Sequence, residues 1–310
     1  MIVSETSLAA LLLTNRLVDV AATPLSAGEY WALVAKVSDV GVLLDVNEQS
    51  VVELLGGDTI EAQRITTLLA ATTAFAYERE RLEEEGISLL STFDPAFPSR
   101  LISRLGTTCP AFLTVAGPVE WLSAGGLGVV GSRDASPAGL EVARSAAQVA
   151  VDAGLPVVSG LARGIDQESM AGALDGGGAV VGVPAEGLRV AARSPEVRRR
   201  VHNGELCIAS PYAPAMRFTA GNAMGRNKIV YGLADVTLVV CSDNGSGGTW
   251  EGAKEAIRRG FGPVAVWSGD GEGPGNAALV ALGGAPITNV HDVFKATEHP
   301  NEPRVQGSLF

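Results

Sequence analysis

The fold class is indicated by one run of eleven residues, Pro156-Val157-Val158-Ser159-Gly160-Leu161-Ala162-Arg163-Gly164-Ile165-Asp166. Its short Val-rich run, Pro156–Val158, is typical of a strand that is buried on both faces. A glycine-containing turn follows, and the pattern after it predicts a helix over Asp166–Asp175 with Asp166 as its N-cap. A buried strand, a tight turn and a helix form the repeating unit of a parallel α/β sheet.

The same unit recurs throughout residues 86–295, where short apolar runs flanked by glycine alternate with helical patterns. The predicted strands are Ile87–Ser91, Ala111–Ala116, Gly126–Val130, Pro156–Val158, Ala179–Val183, Leu206–Ala209, Val236–Val240 and Val264–Trp267. The predicted helices are Pro137–Ala153, Asp166–Asp175, Ala220–Gly232 and Trp250–Arg259. We therefore expect an α/β fold with a mostly parallel sheet, helices on both faces, and a ligand site at the carboxyl ends of the strands.

Residues 1–85 have a different pattern, which predicts a small all-α N-terminal module. Its expected helices are Ser7–Leu17, Ser26–Val37, Ser50–Leu55 and Asp58–Glu85. Ser26 and Glu29 have the spacing of a capping box at the start of the second helix. The module contains no catalytic constellation. At the other end, residues 296–310 are polar with two prolines, and we expect a flexible tail.

Composition excludes several classes of protein. The 310 residues are 46% hydrophobic, so a packed core is expected. The three cysteines are widely spaced and have no nearby His, which argues against a disulfide scaffold or a zinc site. No apolar run reaches the roughly 18 residues that span a membrane, and residues 1–10 lack the basic start of a signal peptide. We expect a cytoplasmic protein without a metal or a membrane partner.

The net charge of −11 argues against nucleic acid only until it is divided along the chain. Residues 1–95 hold 15 acidic and 5 basic side chains, whereas residues 96–310 hold 19 acidic and 18 basic ones. Within Arg189–Lys228, eight basic residues face only Glu196 and Glu205, a net charge of +6. The arginines of residues 198–200 alone fit a solvated helix face, but the whole segment is informative if it lies beside a binding loop.

Four glycine-containing loops are expected at one edge of the sheet. They contain Gly131-Ser132-Arg133, residues 159–166 with Arg163, residues 221–228, and residues 245–251. Backbone N–H groups, hydroxyls and arginine forks in such loops bind phosphate. The spacing matches neither Gly-x-Gly-x-x-Gly nor a Walker motif, so a dinucleotide fold fingerprint and a P-loop ATPase are excluded. His202, His291 and His299 lie outside these loops and are interpreted as surface residues.

Three of these strings occur in the order and spacing of the DprA/Smf family of DNA-processing proteins. They are Gly131-Ser132-Arg133, Ser159-Gly160-Leu161-Ala162-Arg163-Gly164-Ile165-Asp166 and Arg226-Asn227-Lys228-Ile229-Val230-Tyr231-Gly232-Leu233-Ala234-Asp235. The stretch Asp94-Pro95-Ala96-Phe97-Pro98-Ser99-Arg100-Leu101 also resembles that family's entry into its Rossmann-like domain. The resemblance covers Gly86–Val290, and the N-terminal module matches only in kind.

The resemblance implies an extended Rossmann-like domain over residues 86–295 that binds single-stranded DNA, forms a homodimer and hands the strand to a RecA-type recombinase. It implies no enzymatic activity and no cofactor. The family's DNA contacts correspond to Arg133, Arg226 and Lys228. The full set of expected DNA- or phosphate-binding residues is Gly131, Ser132, Arg133, Arg163, Gly164, Asn222, Arg226, Asn227, Lys228, Gly247, Gly248 and Thr249.

Two positions depart from the family pattern. Where the family has Phe-Pro before its basic string, this chain has Ala223 and Met224, and the last basic residue of the string is Lys228 rather than Arg. An aromatic that stacks on a base contributes about 1–3 kcal/mol per base. Phe218 or Tyr231 is the candidate replacement. Both can also be interpreted as core residues, and for Tyr231 that interpretation is favoured.

An alternative function stays open at the fourth loop. Residues 247–251 resemble the Gly-Gly-x-Gly-Thr-x-x-Glu loop of lysine-decarboxylase-like nucleotide hydrolases, with incomplete spacing. In that interpretation Glu251 acts on the ribose of a nucleotide and Arg226 holds its phosphate, or the site senses a nucleotide without turnover. The structural interpretation of Glu251 is a first-turn residue that the helix dipole stabilises.

The last five residues, Gln306-Gly307-Ser308-Leu309-Phe310, resemble the peptide by which bacterial proteins dock on the sliding clamp. Gln306, Leu309 and Phe310 are the expected contacts. Short motifs of this kind have a high rate of chance matches, so the clamp is a hypothesis for a partner.

Overall fold

A computed structural model describes residues 4–14 and 16–298 of the chain. In these residues a single sheet of nine strands runs through the body. The strands are β1 (Ser88–Ser91), β2 (Phe112–Ala116), β3 (Leu127–Val130), β4 (Val157–Ser159), β5 (Val180–Gly182), β6 (Leu206–Ser210), β7 (Val236–Val239), β8 (Val264–Trp267) and β9 (Ala285–Ile287). Their order is β1-β2-β6-β5-β4-β3-β7-β8-β9. Strand β2 is antiparallel to both β1 and β6, and all other pairs are parallel.

The described residues form thirteen α-helices. They are α1 (Glu5–Thr14), α2 (Ala27–Val37), α3 (Glu48–Leu54), α4 (Thr59–Leu69), α5 (Thr72–Glu84), α6 (Ser99–Leu105), α7 (Pro137–Asp152), α8 (Ile165–Asp175), α9 (Leu188–Ala191), α10 (Pro195–His202), α11 (Ala220–Leu233), α12 (Gly247–Arg259) and α13 (Asn276–Ala281). Short 3-10 segments lie at Val40–Leu44, Gly106–Thr108, Val119–Leu122 and Val290–Glu298.

The sheet is covered on both faces, as the Val-rich strands predict. Successive residues of β4 illustrate this, because Val157 packs on the side of α7 and α8 whereas Val158 packs on the side of α6, α11 and α12. Both Val157 and Val158 are fully buried. The predicted α/β fold with a mostly parallel sheet is therefore confirmed.

The order in which strands are added to the sheet reverses at β3, and this switch point determines where the site lies. From β3 the chain adds β4, β5 and β6 on one side, and it later returns to add β7 and β8 on the other. Leu127 of β3 consequently pairs with Val157 of β4 and with Val236 of β7. Ligands of doubly wound sheets bind in the crevice at such a switch point.

The N-terminal helices share a core with the sheet. Tyr30, Ile65 and Phe75 of the helices are buried in the same apolar cluster as Ala111 and Phe112 of the body. The indole of Trp31 donates a hydrogen bond to the carbonyl of Cys109 at 2.9 Å. On another side, Arg189 of α9 forms an ion pair with Glu85 at 2.7 Å. The helical module is thus packed directly against the body.

Several predicted elements differ from the structure. The single helix expected over Asp58–Glu85 is two helices, α4 and α5, which are separated at Ala70 and Ala71. Asp166 is not an N-cap, because α8 begins one residue earlier and its N-cap is Gly164. Residues 221–228 are the interior of α11 rather than a loop. The capping box of Ser26 and Glu29 is confirmed.

Other sequence inferences can be compared within the described residues. Cys109, Cys207 and Cys241 are free and buried. His202 and His291 are exposed, as interpreted from the sequence, and His299 lies outside the described residues. In residues 4–14 and 16–298 we find no helix with the length and apolar character needed to cross a membrane. The same ranges contain no group of three or more His, Cys, Asp or Glu side chains placed to hold a metal ion.

Candidate nucleic-acid interface

A cavity of about 520 Å³ opens at the switch point of the sheet. The loops after β3, β4 and β7 line it together with one side of α11 and the first turn of α12. Its lining residues are Val130, Gly131, Ser132, Arg133, Asp134, Ala162, Asp166, Phe218, Ala220, Ala223, Met224, Arg226, Asn227, Tyr231, Asp243, Ser246, Gly247, Gly248, Thr249 and Glu251. A cavity of this size falls within the usual range of small-molecule sites.

The loop after β3 brings Arg133 to the mouth of the cavity. The amide of Ser132 donates to the carbonyl of Cys241 at 3.0 Å, and this bond fixes the start of the loop against the end of β7. A Cβ on Gly131 would lie 2.5 Å from the Ile165 side chain, so glycine is required there. Arg133 is exposed, and its guanidinium carbon lies 5.7 Å from the centroid of the Phe218 ring.

The loop after β4 packs closely on the loop after β3. Leu161 has φ of 58° and Gly164 has φ of 78°, so the loop passes twice through the left-handed region. A Cβ on Gly164 would lie 2.4 Å from the carbonyl oxygen of Ser132. Arg163 is exposed on this loop but does not line the cavity.

Beneath the β4 loop, Asp166 and Arg226 form a buried pair. Each residue is 5% exposed, and the Arg226 Nη2 atom lies 3.9 Å from the Asp166 Oδ2 atom. Arg226 donates to the carbonyl of Gly160 at 2.7 Å, and the amide of Gly160 donates to Asp166 at 3.1 Å. Burial raises the pKa of Asp166, while the charge of Arg226 opposes that shift. Burial also lowers the pKa of Arg226, but a guanidinium remains protonated at neutral pH.

The basic residues Arg226 and Lys228 of α11 do not form a single charged surface. Residues 226 and 228 are about 200° apart around a helix, so their side chains leave α11 on different sides. Lys228 Nζ donates to the carbonyl of Thr108 at 2.6 Å, away from the cavity, and burial lowers the pKa of this ammonium. Between them, Asn227 lines the cavity and donates to the carbonyl of Gly248 at 3.0 Å.

Two more predicted residues lie outside the cavity lining. The amide side chain of Asn222 faces the carbonyl of Arg217 at 3.5 Å, and Gly164 packs against the β3 loop as described. The structure therefore brings together eight of the expected twelve residues and leaves Arg163, Gly164, Asn222 and Lys228 outside the cavity.

The first turn of α12 forms one wall of the cavity. Gly247, Gly248 and Thr249 line it, and the Ser246 side chain makes no capping hydrogen bond to the helix. The N-terminus of a helix attracts anions through its N–H groups and its dipole. Glu251 follows in the same turn, and its carboxylate is 2.5 Å from the Lys254 ammonium.

The lining also includes residues that the expected binding set omits, among them Asp134, Asp243, Met224 and Ser246. Asp243 lies four residues after the end of β7, in the loop that leads to α12, and its position beyond the carboxyl end of a strand is a signal that could find it. Tyr231 also reaches the cavity although it is only 2% exposed, and its hydroxyl has no hydrogen-bond partner. The interpretation of Tyr231 as a core residue is confirmed.

The basic segment is partly neutralised by the fold. Arg189 pairs with Glu85, Arg199 with Glu196, and Arg200 with Glu205. In the part of the chain that the structure describes, seven exposed arginines have no carboxylate within ion-pair distance. They are Arg16, Arg133, Arg163, Arg193, Arg198, Arg217 and Arg258.

Comparison with known proteins agrees with this architecture. Residues 88–298 match the family model described as DNA recombination-mediator protein A. DprA of Bacillus subtilis is 28% identical over 222 residues, which are 70% of this chain and 74% of that protein. DprA of Streptococcus pneumoniae is 30% identical over 195 residues, 61% of this chain and 67% of that protein. Smf of Synechocystis is 29% identical over 166 residues, and the match spans 52% of this chain but only 41% of that relative.

Two solved structures share the fold. The crystal structure of DprA from Streptococcus pneumoniae has a TM-score of 0.70 and 22% identity, with 95% of this chain and 98% of that one covered. DNA processing protein A from Helicobacter pylori has a TM-score of 0.55 and 21% identity, with 67% of this chain and 94% of that one covered. The resemblance to the DprA/Smf family is confirmed. The chain belongs to the DNA recombination-mediator protein A family.

Proposed function

We propose that the protein binds single-stranded DNA across the cavity and the adjoining edge of the sheet, as a DNA-processing protein rather than an enzyme. The observation that carries the proposal is the placement of Arg133 over Phe218 at the cavity mouth. The solved structure from Helicobacter pylori is described by its single-stranded DNA binding mode, and family membership supports the same ligand for this chain.

The chemistry of the site suits a single strand. Arg133, Arg163 and Arg217 are exposed cations without a carboxylate partner among the described residues, and each can neutralise a phosphate. The N-terminus of α12 offers a further phosphate position at Gly247 and Gly248. The Phe218 ring is 51% exposed, and an unpaired base can stack on it. None of these contacts reads a base edge, so we expect little sequence preference.

A titration of the full chain with a fluorescent single-stranded oligonucleotide tests the proposal. We expect binding that weakens steeply with salt and is much weaker for a duplex of the same length. Equal affinity for the duplex, or no binding at low salt, would reject it.

The family comparison does not favour nucleotide hydrolysis, and the pairing of Glu251 with Lys254 leaves that carboxylate occupied. Release of free base from nucleoside monophosphates, abolished by Glu251→Gln, would support that alternative instead. The oligonucleotide titration, repeated with AMP as a competitor of the labelled strand, separates a nucleotide sensor from a DNA-binding protein.

The proposal also includes three partners in the cytoplasm. A second copy of the chain and a RecA-type recombinase follow from the family resemblance, and the sliding clamp follows from the sequence of the last five residues. The clamp-docking residues Gln306, Leu309 and Phe310 lie outside the described residues. Deleting residues 306–310 is expected to abolish clamp capture without changing DNA affinity. Light scattering of the full chain tests the dimer, and strand-exchange assays with the recombinase test the hand-over.

A further inference from the structure

We propose that Asp166 and Arg226 are positioning residues, which hold the β4 loop so that Arg163 and Arg133 face the DNA without touching it themselves. The inference rests on the proposed function. It changes the role of Arg226, because the sequence assigns this residue to the DNA and the structure places it under the loop.

The pair holds one peptide unit from both sides. The Gly160 carbonyl accepts from Arg226 Nη2 at 2.7 Å, and the Gly160 amide donates to Asp166 Oδ2 at 3.1 Å. A backbone hydrogen bond from Ala162 also reaches the Asp166 carboxylate. Two buried charges thus bind the backbone of residues 160–162, just before Arg163.

Both Asp166 and Arg226 line the cavity, but each is only 5% exposed, so little of either side chain is open to a phosphate. The guanidinium fills the space beside Gly160 so closely that a Cβ there would lie 1.7 Å from its Nη1 atom. Its Nε atom is buried and has no hydrogen-bond partner. The Asp166 carboxyl accepts from the Gly160 amide and offers a phosphate no positive charge. The hydrogen bond that Arg226 donates goes to the backbone carbonyl of Gly160.

The loop requires such support because of its own conformation. Leu161 has a side chain and yet a φ of 58°, and left-handed backbone is unfavourable for residues other than glycine. The loop also abuts the β3 loop, since the Ile165 amide donates to the Ser132 carbonyl at 3.3 Å. Release of the β4 loop would therefore disturb Arg163 directly and Arg133 through this contact.

Alanine at either position would open a cavity in addition to leaving the other charge unpaired, with a risk of unfolding. The test therefore uses Asp166→Asn, which keeps the size of the side chain, in a double-mutant cycle with Arg163→Ala. We expect each single variant to weaken binding of a labelled 20-nucleotide dT strand by roughly fivefold or more. If Asp166 acts through Arg163, the double variant binds about as weakly as Asp166→Asn alone.

Asp235→Asn is the matched control. Asp235 pairs with Arg100 at 2.7 Å and accepts from the Gly126 amide at 2.8 Å, but at the opposite, amino-terminal edge of the sheet. We expect it to lose stability without a change in the salt dependence of DNA binding. A loss of DNA affinity in Asp235→Asn equal to that in Asp166→Asn would overturn the inference.

Two further outcomes separate the inference from the function on which it rests. Wild-type affinity in folded Asp166→Asn, or effects of Asp166→Asn and Arg163→Ala that multiply, would overturn the inference alone. Failure of the wild-type chain to bind the dT strand would overturn the proposed function and the inference together.

If Asp166→Asn does not fold, Arg226→Lys takes its place in the same cycle, with the same expectations. Faster amide exchange at residues 160–163 in the folded variant is the second expected readout.

Discussion

The guanidinium carbon of Arg133 lies 5.7 Å from the centroid of the Phe218 ring, although the two residues are far apart in the chain. The loop after β3 supplies the cation and the segment before α11 supplies the ring. A cation over an aromatic face orders both side chains at a modest gain in free energy. The pair presents a flat surface and a positive charge together at the mouth of the cavity.

Replacement of this pair should separate stacking from charge. Phe218→Ala is expected to lose about 1–3 kcal/mol of binding free energy with an unchanged salt slope, because a ring stacks without releasing counterions. Arg133→Ala is expected to reduce the slope of log K against log salt by about 1. Fluorescence anisotropy over a series of salt concentrations measures both. Tyr77→Ala, which removes an exposed ring from α5, is the control and should leave binding unchanged.

Arginines that already have a carboxylate partner should matter less than those without one. Arg217→Ala is expected to weaken DNA binding by roughly threefold or more at low salt, since its charge is free for a phosphate. Arg199→Ala is expected to change binding less, because Glu196 lies 2.7 Å from that guanidinium. The two variants have the same change in net charge. Equal losses of affinity would mean that only total charge matters.

Gly160 should tolerate no side chain. A Cβ would lie 1.7 Å from Arg226 Nη1, so Gly160→Ala is expected to lower the free energy of unfolding by about 1–3 kcal/mol, as overpacked sites do. Gly221→Ala is the control, because its nearest neighbour would be 3.9 Å away and alanine favours the helix. Urea denaturation of both variants should give changes of opposite sign. A neutral result for Gly160→Ala would show that Arg226 moves aside freely.

The helical module should lose part of its stability in acid. Hydrogen bonds from Arg64 and then Ser26 lower the pKa of Glu29 to about 2 from 4.5. A carboxyl with a depressed pKa stabilises the fold above about pH 4.5, and this contribution disappears as the pH falls through about 2. Because Glu29 is 47% exposed, we expect only about 1 kcal/mol. The difference in unfolding free energy between wild type and Glu29→Gln should therefore shrink from pH 7 to pH 2, whereas a constant difference would contradict this origin.

The sheet is largely predictable because its strands are short Val-rich runs with glycine at their ends. Strand β9 is the exception, since Pro286 lies inside it and proline argues against a strand. The break between α4 and α5 is also hidden, because Ala70 and Ala71 are good helix formers and contain no stop signal. Tertiary packing decides both features, and no local pattern reports it.

The site is predictable in its loops and less so in its charges. Gly131, Ser132 and Arg133 lie where the strand-to-helix turn predicts. Arg226 and Lys228 appear as one basic cluster in the sequence, but a helix turns them to different sides and buries the first of them. Asp166 matches the pattern of a cap, although its carboxylate binds the loop before the helix. Burial of a charge depends on contacts between distant segments, which spacing along the chain does not reveal.

The packing of Phe112 has a practical consequence for dissecting the protein. Phe112 begins strand β2 of the sheet, yet it and the preceding Ala111 are buried in the apolar cluster of the N-terminal helices. A fragment that began near Gly86 would therefore expose an apolar patch on an antiparallel strand near the sheet margin, where aggregation starts easily. The acidic N-terminal helices cover this end of the sheet. Because they are packed on the body, their negative charges keep a fixed position relative to the sheet, and DNA cannot displace them as it could displace a flexible segment.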